Sequence, residues 1–272
     1  MIKATILIDN QPSINNPCLQ SEHGLCVYVE TRTLRLLCDA GASGAFIDNA
    51  HRLGIDLSGL DMVVVSHGHN DHTGGLPRLC AENCDVPIYA ATHIFDHFTS
   101  SRHGRERDIS APTVLASNHY DRFTLVDSSQ WVSREVALVR CNVATNPMPQ
   151  GNNFLKNGEA LDEFEHEMSL AIVDDDALVI ISPCSHRGAI NIIESCRQFT
   201  GIEKVRAFVG GLHFVDGPQV ERETSQFAHD ISQGFSDTAI FTGHCTCAVA
   251  QNQLLAALPN VSIFSTGQIL EL

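Results

Sequence analysis

The run Val63-Val64-Val65-Ser66-His67-Gly68-His69-Asn70-Asp71-His72-Thr73-Gly74-Gly75-Leu76 decides how the chain reads. Its three β-branched apolar residues predict a buried strand, and the polar residues that follow fall at the strand's end. Within six positions stand three imidazoles and one carboxylate, side chains that bind a borderline-soft divalent metal. In an extended turn His67 and His69 reach one ion. Asp71 and His72 then point towards a second, an arrangement suited to a two-metal centre. Gly74 and Gly75 are expected to turn the chain before a helix that starts near Leu76 or Pro77.

On either side of this run the apolar pattern alternates between strands and helices. Upstream, 2–8 reads as a first strand, and 25–30 with 34–39 as a hairpin that ends at Asp39-Ala40-Gly41. Downstream, the helix over 76–81 leads to a strand over 86–90, after which the periodicity fades between 98 and 162. Order returns with strands over 168–173 and 177–182, whose link Asp174-Asp175-Asp176 has the composition of a hairpin turn. A helix over 188–199, a strand over 205–211, a helix over 220–233, a strand over 238–241, a helix over 247–258 and a strand over 261–264 complete the pattern. Two β-rich halves with helices outside each predict an α/β sandwich in four layers, αββα. The chain is expected to form one domain over 1–272, with an irregular substrate-side insertion around 98–162.

Three strand ends in the second half carry further ligand chemistry. Cys184-Ser185-His186, Gly211-Leu212-His213 and His244-Cys245 each follow an apolar run, so Cys184, His186, His213 and His244 are candidates to share a cleft. Arg102, Arg105 and Arg107 stand within six residues of an otherwise acidic chain, and guanidinium forks suit phosphate or carboxylate. The loop over 142–158, with two prolines and five asparagines, is long enough to expect a functional role.

Bulk properties narrow the classes. A net charge of −15 speaks against nucleic acid or anionic membrane as partner. No apolar run of about 18 residues predicts a membrane-spanning helix. The ten cysteines are irregularly spaced without a Cys-x-x-Cys pair, which predicts reduced thiols and a cytoplasmic setting. Oligomeric state is not legible.

The His-x-His-x-Asp-His run, in its strand-turn-helix context, resembles the signature of the metallo-β-lactamase superfamily. Histidine at the second position, His69, favours the hydrolytic branch over diiron flavoproteins, which carry glutamate there. Together with Asp9-Asn10, Glu22-His23-Gly24-Leu25, Asp39-Ala40-Gly41, Leu53-Gly54-Ile55-Asp56-Leu57, Cys184-Ser185-His186, Gly211-Leu212-His213 and His244-Cys245-Thr246, the pattern resembles one branch of that superfamily. It is the branch of metal-dependent hydrolases that contains 7,8-dihydropterin-6-methyl-4-(β-D-ribofuranosyl)-aminobenzene-5′-phosphate synthase. The resemblance implies a metallo-β-lactamase fold and one or two divalent transition-metal ions, zinc foremost, with iron or manganese as alternatives. The implied ligands are His67, His69, Asp71, His72, His186, His244 and Cys184, with Asp39 orienting a ligand histidine. His186 is preferred to His166 because it belongs to the Cys-Ser-His pattern. Cys184 stands near the place where the wider superfamily has a bridging aspartate.

The expected function is hydrolysis of a small, anionic substrate through metal-activated hydroxide. Asp71 would handle the proton, His213 would hydrogen-bond the substrate or oxyanion, and His23, Arg102, Arg105 and Arg107 would bind the substrate. The alternatives are a synthase that joins a dihydropterin diphosphate to a ribosylated aminobenzene phosphate, and a metal-containing binding or sensor protein without turnover.

Overall fold

The computed structural model describes every residue of the chain except Cys84 and His103. The first elements are β1 (Lys3–Ile8), β2 (Cys26–Glu30), β3 (Arg35–Cys38), α1 (Ala45–Arg52), β4 (Met62–Val65), α2 (Asn70–Thr73) and α3 (Leu76–Glu82). Next come β5 (Ile88–Ala91), β6 (Phe98–Ser100), β7 (Arg107–Asp108), α4 (Thr113–Asn118), β8 (Phe123–Val126), β9 (Gln130–Trp131), β10 (Val136–Val139), β11 (Leu155–Asn157) and β12 (Ala160–Leu161). The chain closes with β13 (Ser169–Asp174), β14 (Ala177–Ile181), α5 (Ala189–Thr200), β15 (Lys204–Val209), α6 (Val220–Gly234), β16 (Ala239–Thr242), α7 (Ala248–Ala257), β17 (Val261–Ile263) and β18 (Ile269–Glu271). Two compact units result: Met1–Asp127 with Phe154–His166 and Ser265–Leu272, and Ser128–Asn153 with Glu167–Phe264.

In the first unit a seven-stranded sheet runs β18-β1-β2-β3-β4-β5-β8. The expected hairpin is the β2–β3 pair, with Val27 opposite Cys38. From β3 to β8 the strands are parallel, so each return passes through a helical crossover. Phe46 of α1, Leu76 and Leu79 of α3 and Leu115 of α4 pack with Leu37, Val63, Val65 and Ile88 of the sheet. Each such side chain, fully buried, contributes about 1.5–3 kcal/mol. A smaller sheet, β12-β11-β6-β7, holds much of the stretch that sequence periodicity leaves irregular. Its strands are two or three residues long, too short for a period of two to show.

The second unit is a seven-stranded sheet ordered β17-β16-β15-β14-β13-β10-β9. β14, β15, β16 and β17 are parallel, and α5, α6 and α7 bridge them in turn. Ile192 and Ile193 of α5, Phe227 and Ile231 of α6 and Leu254 of α7 bury against Leu178, Ile180, Phe208 and Ile240. Asp174 pairs with Ala177 across a tight turn, and its carboxylate meets Arg206 Nη1 at 2.5 Å. The acidic triplet is therefore a hairpin link, as its composition predicts. In both units the carboxyl ends of parallel strands fall along one sheet edge, where α/β proteins gather their chemistry.

Candidate metal centre

In the first unit the site begins at the ends of β3 and β4. Asp39 follows β3 with φ at 60°, a left-handed conformation that a non-glycine residue adopts only when its surroundings hold it. Its backbone N–H donates to the Val64 carbonyl. Its carboxylate is fully buried and accepts from Ser66 N–H at 2.6 Å, from Ser66 Oγ at 2.6 Å and from His72 Nδ1 at 2.6 Å. A carboxylate only accepts, so His72 carries its proton on Nδ1. Ser66 gives its hydroxyl hydrogen to Asp39 and accepts from His67 Nδ1 at 2.8 Å. One aspartate thus sets the tautomer of two buried histidines, both with Nε2 as the lone-pair nitrogen, the form in which imidazole binds a metal.

The ring of His67 lies 4.6 Å from that of His69 and 4.2 Å from that of His72. Burial, aided by the neighbouring His166, pushes the His69 pKa down to about 3, which keeps the ring neutral. The turn is tighter than the glycines predict: α2 opens at Asn70, with His69 as its cap. Gly74 sits in ordinary helical space, and the need for glycine is steric. A side chain there would run into the Ala42 carbonyl and the Asn70 carbonyl.

Asp71 lies at 3.6 Å from His72 Nε2 and at 3.3 Å from Nε2 of His23. Asn10 Nδ2 donates to His23 Nδ1 at 3.1 Å, which leaves the His23 proton on the nitrogen that faces Asp71. His23 is therefore a partner of Asp71, while its ring is 73% exposed and accessible to a substrate. His166 braces the turn. Its Nδ1 accepts from Gly68 N–H at 2.9 Å, its Nε2 donates to Asp162 at 2.9 Å, and its ring stacks on Phe98 at 4.1 Å. Both His166 nitrogens are engaged by protein, and His69, Asp162 and His166 bring their ligand atoms within 4.8 Å of one another. Burial raises the Asp162 pKa, but the His166 bond and charge and the Phe164 N–H outweigh it and hold the carboxyl below its usual range.

In the second unit the loops after β14, β15 and β16 carry Cys184 and His186, His213, and His244. Ser185, His213 and His244 all have φ near 50–58°, strain concentrated at three adjacent strand ends. Buried Glu167 accepts from the backbone N–H groups of His186 at 2.7 Å and Arg187 at 2.8 Å. Asn152 grips His186 twice: its Nδ2 donates to the His186 carbonyl at 2.8 Å, and its Oδ1 meets Nδ1 at 3.0 Å. That places the His186 proton on Nδ1 and the lone pair on Nε2, as in His67 and His72. The His213 ring stands edge-on to His186 at 4.2 Å, and the His213 backbone N–H donates to Cys245 Sγ at 3.3 Å.

Ser66, Asn152 and Glu167 escaped the sequence reading. Ser66 could have been found from its place beside the candidate ligand His67, whereas Asn152 and Glu167 act on a loop distant in sequence. Arg102, Arg105 and Arg107 are exposed on the β6–β7 hairpin, with Arg107 paired across from Ser100. His103, within the same segment, lies outside the described residues. The hairpin adjoins the metal turn through its backbone, because Asn70 N–H donates to the Ile109 carbonyl at 2.7 Å.

The model of the metallo-β-lactamase superfamily matches residues 21–168, more than half of the chain and all of the His-x-His-x-Asp-His turn. The chain belongs to the metallo-β-lactamase superfamily. Its fold, a mixed α/β sandwich, is the fold of that superfamily, and buried imidazoles whose Nδ1 atoms are engaged by protein acceptors fit the divalent metals that the superfamily binds. The 7,8-dihydropterin-6-methyl-4-(β-D-ribofuranosyl)-aminobenzene-5′-phosphate synthase of Methanocaldococcus jannaschii is 29% identical, with 93% of this chain and 90% of that protein covered. The crystal structure of Tm1679, a metal-dependent hydrolase of the β-lactamase superfamily, superposes with a TM-score of 0.83 at 25% identity, covering 100% of this chain and 99% of the other. A diphosphatase of the PhnP family shares the fold, with a TM-score of 0.56 at 16% identity over 100% and 98% of the two chains.

Proposed function

We propose that the protein is a metal-dependent hydrolase of a small substrate that bears phosphate or carboxylate. The observation that carries this reading is the Asp39–Ser66–His67 and Asp39–His72 network, which presents buried Nε2 atoms as ligands beside the Asp71 carboxylate. The proposed ligands in the first unit are His67, His69, Asp71 and His72; those in the second are Cys184, His186 and His244. One or two divalent ions, zinc by ligand chemistry, would be held. When bound, such an ion supplies Lewis acidity towards a carbonyl or phosphoryl oxygen and acidifies water.

The protein's own groups do the rest. Asp71, oriented by His23 at 3.3 Å, takes and returns the proton at its Oδ2. His213 hydrogen-bonds the substrate or the developing oxyanion, and Arg102, Arg105 and Arg107 draw the anionic group in. A cytoplasmic setting suits the reading: the described cysteines form no disulfide, and no described helix is long and apolar enough to cross a membrane. The small-molecule substrate is favoured over nucleic acid by the charge of −15. A second reading, the dihydropterin–aminobenzene phosphate synthase reaction, is favoured by the 29% identity to that enzyme along nearly the whole chain.

The test uses the full chain, stripped with chelator and reloaded with zinc. It is assayed on phosphodiester, thioester and lactone substrates, and on dihydropterin diphosphate with ribosylated aminobenzene phosphate. Turnover of a phosphate-bearing ester that returns with metal and fails in Asp71→Asn is the expected result. Coupling of the pterin pair selects the synthase reading. A metal-replete protein inert on every substrate contradicts both.

A further inference from the structure

We propose that Cys184, His244 and Cys245 form a two-thiolate metal position, with Cys245 a ligand in its own right. The proposal rests on the metal reading for Cys184 and His244 and adds the second sulfur, which gives one position a soft, thiophilic character. The ligand atoms of these three residues lie within 4.8 Å of one another. Zinc held through sulfur at about 2.3 Å and nitrogen at about 2.0–2.1 Å sets tetrahedral donors roughly 3.5–3.8 Å apart.

The surroundings of Cys245 are those of a ligand more than of a packing thiol. Cys196 belongs to the apolar core of the same unit, while Cys184 and Cys245 stand outside that core. Burial drives the Cys196 thiol well above its usual range, which leaves it inert. Cys245 instead receives the His213 backbone N–H at 3.3 Å, a polar contact that a packing thiol in the apolar core does not have. Its Sγ also lies 3.6 Å from the Cys184 carbonyl, so the loops after β14 and β16 already meet at this sulfur. Gly211 reserves the space, because any side chain there would overlap Cys245 Sγ. His244 is held at φ 49°, a left-handed conformation that the chain maintains at a cost.

Loading the position would release two thiol protons to solvent as two metal–sulfur bonds form. Two thiolates and an imidazole select zinc, or cobalt as its probe, over manganese and magnesium, which prefer oxygen.

The experiment is Co(II) reconstitution of the full chain, stripped of metal and kept reduced with a phosphine. Bound cobalt is measured by elemental analysis, and thiolate ligation by the sulfur-to-cobalt charge-transfer band in the near ultraviolet. The wild-type chain should show the band at an intensity for two thiolates. Cys245→Ser and Cys184→Ser should each lower it by about half, and the double variant should abolish it while histidine-held cobalt remains. Circular dichroism melts establish that each variant folds, and either single variant suffices to read the effect. Cobalt bound without a charge-transfer band, or a band unchanged in Cys245→Ser, overturns the two-thiolate position and leaves the metal reading standing. A chain that binds no cobalt overturns the metal reading itself.

Discussion

Ser66 and Asn152 do the same work in different units: each accepts a hydrogen bond from the Nδ1–H of a candidate ligand histidine and so leaves its Nε2 lone pair available. Ser66 passes the bond on to Asp39 at 2.6 Å, while Asn152 closes a two-point clamp by donating to the His186 carbonyl at 2.8 Å. Hydrogen-bonding partners of this kind fix ring orientation, and their loss typically costs 10–100-fold in metal affinity. Asn152→Ala should therefore weaken zinc by about 10–100-fold in a competition titration, with the fold retained. Asn152→Asp, which keeps an acceptor for Nδ1 and loses the amide donor, should weaken it less. Unchanged affinity in Asn152→Ala would show that His186 needs no orienting partner or is no ligand. The strain at Asp39, Ser185, His213 and His244 belongs to the same design. Each left-handed residue costs of order 1–3 kcal/mol, and these four gather at strand ends beside the candidate ligands.

The β6–β7 hairpin shows how an element changes the meaning of its residues. Arg102, Arg105 and Arg107 suggest a bidentate clamp in sequence, but the hairpin exposes all three. Exposed guanidinium groups act mainly by steering an anion, an effect that salt screens within about 10 Å at 0.1 M. Changing the three to glutamine should lower kcat/KM for a phosphate-bearing substrate severalfold at low salt and hardly at all near 1 M. A neutral ester should be unaffected. A loss that persists at high salt would mean that the hairpin closes on the substrate and dries the contact. The hairpin also marks where sequence legibility ends. The His-rich turn was readable because its candidate ligands are adjacent, and the β13–β17 half because its strands are nearly unbroken apolar runs between helices. Strands of two or three residues leave no period, so β6, β7, β11 and β12 were not. Asn152 and Glu167 escaped because their partner His186 lies 34 and 19 residues away, a pairing that only the fold creates.

Across the chain, one chemistry recurs on two similar frameworks. Each unit sets parallel strands side by side, gathers their carboxyl ends along one edge and places imidazoles there. The superfamily explains why this frame holds histidines, and the chain's own residues explain how His67, His72 and His186 are oriented. A net charge of −15 adds a general attraction for cations, which raises their local concentration without selecting among them. Selection must come from the donor set. The central claim is that the His67, His69, Asp71 and His72 cluster binds transition metal, and elemental analysis of chain purified without chelator tests it directly. One to two equivalents of zinc, iron or manganese per chain, falling sharply in His67→Ala combined with His72→Ala, is the predicted result. Less than about a tenth of an equivalent in the wild-type chain would contradict it, since sites of this kind bind too tightly to empty on purification.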